Sequence, residues 1–182
     1  MLTSRFVLAI ACLAGSVLYG QQFKNPDNLA PDFPTPELVV DRMLELAQIR
    51  PNEIVYDLGC GDGRIVITAA RKFNARAVGI EMARDIFERT SARVLALNLQ
   101  DRVTIIHGNA LHTDLSHADV VTLYLLTSSN DRLRPRLEHD LHVGSRVVSH
   151  DYEIRGWEPK MVDRINVAGR KHTIYLYEVK AH

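Results

Sequence analysis

The sequence predicts one α/β domain on a mostly parallel sheet, and three observations carry that prediction. Beyond Thr35, short β-prone apolar runs alternate with stretches of helical periodicity, the pattern of strands joined by crossover helices. The first strand breaks into a turn containing Gly59, Gly61 and Gly63 before a new helical pattern begins at Ile65. The last two β-prone runs follow each other directly across Ala168-Gly169-Arg170, which predicts an antiparallel hairpin at the C-terminus.

The elements follow in order. Thr35-Pro36-Glu37 predicts a helix start with Thr35 as N-cap and Pro36 at the first helical position. Val39, Met43, Leu46 and Ala47 then recur at helical spacing, and the helix ends before Pro51. A strand from Glu53 to Leu58 enters the glycine turn, a helix runs on to about Lys72, and Ala75 to Glu81 forms the second strand. From Ala83 to Leu99 an amphipathic helix places Ile86, Phe87, Thr90, Val94 and Leu97 on one face. Val103 to His107 and Ala118 to Tyr124 are the third and fourth strands. Ser128 to about His139 is helical, with Pro135 marking a kink or a restart. Gly144 to Ser149 is the fifth strand, and Met161 to Val167 with His172 to Val179 is the closing pair.

Composition narrows the function classes. With 182 residues, 22 basic and 22 acidic, the chain supports one domain with a real core and has zero formal charge. A balanced charge argues against a nucleic-acid partner, whose binding relies on phosphate neutralisation. Cys12 and Cys60 form neither a disulfide framework nor a cysteine zinc site. The spacings of His107 with His112 and of His139 with His142 do not recur with carboxylates, so no metal is expected. Arg132, Arg134 and Arg136 alternate on a helix and do not share a face, which predicts solvated side chains. Residues 1–20 have the layout of a signal peptide or short membrane anchor: Arg5, an apolar run from Phe6 to Tyr19, then Gly20. Leu18-Tyr19-Gly20 fits a small-x-small cleavage site poorly, which favours an uncleaved segment. Residues 21–34, with Pro26, Pro31 and Pro34, read as a linker, and 35–182 as the folded domain.

Glycines at every second position leave main chain bare for a ligand. The spacing differs from the G-x-G-x-x-G of dinucleotide-binding dehydrogenases, because here the third glycine comes after two positions and Asp57 precedes the set. D-x-G-x-G-x-G from Asp57 to Gly63 resembles motif I of the class I S-adenosylmethionine (SAM)-dependent methyltransferases. The resemblance implies a Rossmann-like seven-stranded sheet, mostly parallel with an antiparallel C-terminal hairpin, and SAM as methyl donor. SAM carries no pyrophosphate, and a carboxylate suits its ammonium and sulfonium charges. The implied cofactor contacts are Asp57, Gly59, Cys60, Gly61 and Gly63, with Glu81 accepting from both ribose hydroxyls about twenty residues later. His107-Gly108-Asn109-Ala110-Leu111 resembles the family's G-D-A segment, which assigns the Asn109 side chain and the Ala110 main chain to the adenine.

A narrower resemblance rests on Phe33-Pro34-Thr35-Pro36, the glycine turn, Asp119-Val120-Val121-Thr122-Leu123-Tyr124 and Val147-Val148-Ser149-His150-Asp151. These stretches are similar to prokaryotic relatives of the lysine methyltransferases of ATP synthase and the adenine nucleotide translocase. In that group the segment before the first helix helps cover SAM, which gives Phe33 and Thr35 a binding role. Tyr124, His150 and Asp151 are the candidates for the acceptor side. Tyr124 either lines a channel for a long amine or packs under the sheet. His150 with Asp151 either receives a proton or orders the loop toward Trp157. Neither the Pro-Pro-aromatic motif of DNA amine methylation nor a Pro-Cys nucleophile is present, so nucleic-acid readings fall. The expected acceptor is a protein lysine, on a partner that is membrane-associated or soluble. The alternatives are a small-molecule O- or N-methyltransferase with His150 as base, and a SAM-binding protein without turnover. SAM is made in the cytosol, so either an uncleaved anchor at the membrane with the core facing the cytoplasm or a mis-assigned start codon reconciles the N-terminal segment with the cofactor, whereas export of the core does not.

Overall fold

The computed structural model describes residues 34–180. The expected signal or anchor, Phe33 and all of the linker before Pro34 lie outside these residues. Seven strands and four helices follow one another as α1 (Glu37–Leu46), β1 (Ile54–Leu58), α2 (Arg64–Phe73), β2 (Arg76–Glu81), α3 (Arg84–Ala96), β3 (Val103–His107), β4 (Val120–Leu123), α4 (Thr127–Asp140), β5 (Arg146–His150), β6 (Met161–Val167) and β7 (Arg170–Glu178). They form one sheet in the order β3-β2-β1-β4-β5-β7-β6. Strands β1 to β5 run parallel, and β7 enters antiparallel between β5 and β6. This is the α/β architecture expected.

The period of two along each strand divides the core between the faces of the sheet. Val55, Val120 and Val148 pack with Val39, Met43, Ile65, Val66 and Val94, beneath α1, α2 and α3. Their neighbours Tyr56, Val121 and Val147 pack with Leu133, Leu137 and Tyr177, beneath α4. Buried on both faces, the central strands are largely apolar rather than alternating, with Asp57 in β1 and Thr122 in β4 as buried polar exceptions. Among the described residues no helix is long and apolar enough to cross a membrane.

Four expectations need correction. Thr35 does not cap α1: the cap position is Pro36, with no side-chain cap bond, and the helix starts at Glu37. The Thr35 hydroxyl stands instead 3.4 Å from His150 Nδ1, and its carbonyl accepts from Arg64 Nη1 at 2.7 Å. On α3, Thr90 and Val94 are buried and Ile86 and Phe87 half-buried, but the helix ends at Ala96 and Leu97 is exposed. The fourth helix runs through Pro135 without restarting. Arg134 and Arg136 are not simply solvated, because residues diverging around α4 meet different loops. Arg134 donates to the Arg155 carbonyl at 2.7 Å, and Arg136 to the Thr113 carbonyl at 2.9 Å and to Asp140 at 2.6 Å.

Candidate functional site

The chain leaves β1 toward β2 and β3 on one side, then returns to place β4 on the other side of β1. A crevice beyond the carboxyl ends of β1 and β4 follows from that reversal. The glycine turn leaves β1 there, and Tyr124 follows the last residue of β4. Gly59, Gly61 and Gly63 have φ of 82°, 52° and 75°, in the left-handed region. The turn is tightly held. Ile80 O accepts from both Gly59 N and Cys60 N at 2.9 Å, the Thr90 hydroxyl donates to Gly61 O at 2.6 Å, and Arg93 donates to Asp62 O at 2.9 Å.

Two glycines serve packing around this turn. A Cβ on Gly63 would stand 2.7 Å from Thr90 Cγ2, so its bareness lets α3 close on the turn. A Cβ on Gly79 would stand 2.7 Å from Cys60 Sγ, so the thiol fills the space a larger β2 residue would take. Cys60 is buried, and desolvation with Asp57 and Glu81 nearby pushes its pKa up, which keeps the thiol protonated. Its side chain is a packing element, while its main chain stays in the turn.

Three carboxylates surround the turn. Asp57 is fully buried and accepts from the Thr122 hydroxyl at 2.7 Å; burial first, then the charges of Glu81 and Asp62, push its pKa up to about 7. Glu81 has one oxygen accepting from Gly61 N at 3.0 Å and the other from Ala83 N at 2.8 Å. It clamps the turn to the end of β2, and each oxygen keeps a lone pair for a further donor. Asp62 pairs with Arg64 at 2.7 Å and Arg93 at 3.2 Å; burial raises its pKa, but hydrogen bonds from Arg64 outweigh that and hold it below the usual range.

The flanking candidates converge on the same edge. Arg64 opens α2 and holds the Thr35 carbonyl, which brings the segment before α1 against the turn. Asn109 caps a short 3-10 helix at Ala110–His112, its side-chain oxygen accepting from Leu111 N at 2.9 Å. That local bond engages the oxygen expected to face an adenine, and Ala110 beside it is buried.

On the other side of the crevice, Tyr124 is half-buried and packs against His150, ring centroids 4.1 Å apart and planes tilted by 30°, with the Tyr152 ring 6.1 Å from that of Tyr124. Tyr124 therefore joins a cluster beyond the strand ends rather than packing under the sheet. His150 has no exposed surface. Its Nε2 lies 2.8 Å from His172 Nδ1 and 3.3 Å from Asp151 Oδ2. Desolvation, opposed by Asp151 and aided by His172 and Arg170, holds the His150 pKa below its usual value, which favours the uncharged ring. Sequence reasoning missed His172. Its only signal was its place on the strand that pairs with β5, and the register putting His150 opposite Ile174 cannot be read from local pattern. Sequence reasoning also missed Asn130, which donates to the Tyr152 and Glu153 carbonyls at 3.2 Å and holds the loop after β5.

Comparison with known proteins gives this crevice a context. Residues 57–161 match the family model of the ANTKMT methyltransferase domain. Over 153 residues the chain is 48% identical to a protein-lysine N-methyltransferase of Saccharolobus islandicus, covering 84% of this chain and 95% of that protein. It is 29% identical over 123 residues to the adenine nucleotide translocase lysine N-methyltransferase of Mus musculus, covering 68% of this chain and 54% of that one. Among solved structures, an RNA methyltransferase from Salinibacter ruber in complex with S-adenosyl-L-homocysteine superposes with a TM-score of 0.77 at 43% identity. That match covers 82% of this chain and 95% of the other. The residues at this crevice are compatible with such a ligand: Gly59 and Gly61 hold left-handed main chain there, and the buried Asp57 carboxyl, its pKa pushed up, would be relieved by a cationic group.

Proposed function

The chain belongs to the ANTKMT methyltransferase family, and from that premise we propose that it methylates lysine side chains of proteins. It is a SAM-dependent methyltransferase of the Rossmann-like class. The observation that carries the lysine reading is the 48% identity, over nearly the whole length of the relative, to a protein-lysine N-methyltransferase. SAM supplies the electrophilic methyl group. In this reading Asp57 and the turn from Gly59 to Gly63 receive the charged amino acid end, with the Cys60 main chain among the contacts. Glu81 takes the ribose, Asn109 and Ala110 border the base, and Thr35 and Phe33 cover the bound donor.

The acceptor amine enters on the opposite side, beside Tyr124, with His150 and Asp151 behind it. The rings of Tyr124, Tyr152 and His150 favour an uncharged amine over a hydrated ammonium. Methyl transfer to a neutral amine needs no dedicated base, and these residues contribute alignment and exclusion of water. The apolar run from Phe6 to Tyr19 supports a core tethered at the membrane on its SAM-supplied, cytoplasmic side.

A second reading has one specific observation behind it, the RNA methyltransferase from Salinibacter ruber. The zero formal charge of the chain weighs against it. Incubating cell lysate with purified protein and methyl-labelled SAM separates the readings when protein, RNA and metabolite fractions are analysed by mass spectrometry. Methylated lysine in the protein fraction is the expected result. Label confined to RNA or to small molecules would overturn the lysine reading, and SAM binding without label anywhere would leave a sensor.

A further inference from the structure

We propose that His150, Asp151 and His172 form a binding site for one divalent transition-metal ion of the zinc class. The three candidate ligand atoms all face one another. His150 Nε2 and His172 Nδ1 are 2.8 Å apart, and Asp151 Oδ2 lies 3.3 Å from the first and 3.4 Å from the second. Zinc with nitrogen and carboxylate ligands at about 2.0–2.2 Å in a tetrahedron spaces those ligands about 3.3 Å from one another. Two of the three edges already have that length, and a small swing of one imidazole opens the third.

The ligands are built into the sheet rather than hung on loops. His150 ends β5, His172 lies near the start of β7, and the ladder between these strands sets their separation. Asp151 adopts a left-handed φ of 59°, uncommon for a residue with a side chain. Two bonds hold it there: Asp151 N donates to Thr173 O at 2.7 Å, and Thr173 N donates to Asp151 Oδ1 at 2.9 Å. The second carboxylate oxygen is thereby aimed at both imidazoles. Thr35 Oγ1, 3.4 Å from the other nitrogen of His150, is placed as the outer partner that metal-bound histidines usually have.

Three protein ligands leave a fourth position for water or substrate, as in catalytic rather than structural zinc sites. The nearest competing cation is Arg170, whose Nη2 is 3.4 Å from the same Asp151 oxygen. Its side chain is 66% exposed and can turn into solvent when an ion enters, giving up its hydrogen bond with Tyr124. The proposal does not depend on which acceptor is methylated.

The test is a cobalt titration of the full chain, purified without a polyhistidine tag and stripped with a chelator. One equivalent of Co²⁺ should bind with the visible absorption of a tetrahedral site, and stoichiometric Zn²⁺ should displace it and raise the melting temperature. His172→Gln should weaken binding at least tenfold. Asp151→Asn should do the same while keeping the Thr173 N–H bond through its amide oxygen, so it carries the test if the histidine variant fails to fold. No tetrahedral spectrum, or equal cobalt binding by the wild type and both variants, would overturn the site and leave a hydrogen-bonded cluster only.

Discussion

At the scale of single residues, Glu81 and Asp57 carry the sharpest consequences. Glu81 bridges Gly61 N and Ala83 N, and under the proposed function its remaining lone pairs take the ribose. Glu81→Ala should weaken SAM binding by about 1–3 kcal/mol in calorimetry. An unchanged affinity would remove the ribose assignment. The Asp57 pKa is raised from 3.8 to about 7, so the folded protein holds this proton more tightly than the unfolded chain. The stability it contributes is therefore full below the unfolded value and is lost as pH rises through the folded one. Relative to Asp57→Asn, the unliganded wild type should lose up to about 4 kcal/mol between pH 4 and 8. Denaturant melts of the two proteins across that range measure the difference, and parallel curves would refute the burial argument. Asp57 and Glu81 were legible in the sequence because each lies at the end of an apolar run next to turn residues. The caging of the Glu81 oxygens by main chain was not, since it depends on how the turn folds back on β2.

At the scale of elements, the close approach of α3 to the glycine turn is set by Gly63 and Thr90. Gly63→Ala should destabilise the protein by about 1–3 kcal/mol, from a left-handed φ and the 2.7 Å approach of Thr90 Cγ2. Adding Thr90→Ser removes that methyl while keeping the hydroxyl bonded to Gly61 O, and should restore part of the loss in a double-mutant cycle. Strict additivity would show that the two do not press on each other. The loop after β5 depends on Tyr177, whose buried hydroxyl accepts from Ile154 N at 2.9 Å. Tyr177→Phe leaves that N–H unpaired and should cost about 1–3 kcal/mol in urea unfolding. Strand and helix order was readable from periodicity alone. The start of α1 was misread because Thr35 has two possible partners, and the tertiary contact with His150 wins over the local cap.

At the scale of the whole molecule, the proposed SAM crevice joins parts distant in sequence: the segment before α1, the turn after β1, the end of β2 and the end of β4. A ligand touching all of them should stabilise the folded state as a unit. S-adenosylhomocysteine at a hundred times its Kd should add about 2.7 kcal/mol and raise the melting temperature by about 5–10 °C. No shift in a thermal melt would mean that the crevice does not take this nucleoside. The sequence by itself determined the α/β class, the glycine turn with its flanking acid, and the absence of the local motifs of nucleic-acid methylation, because each is a pattern within a few adjacent residues. Only the tertiary structure decided that His172 meets His150 and Asp151, that Thr35 reaches across to the same imidazole, and that Cys60 fills the space beside Gly79. Those meetings depend on sheet order and on the register of β7 against β5, which arise from burying both faces of the sheet at once and leave no mark in neighbouring residues.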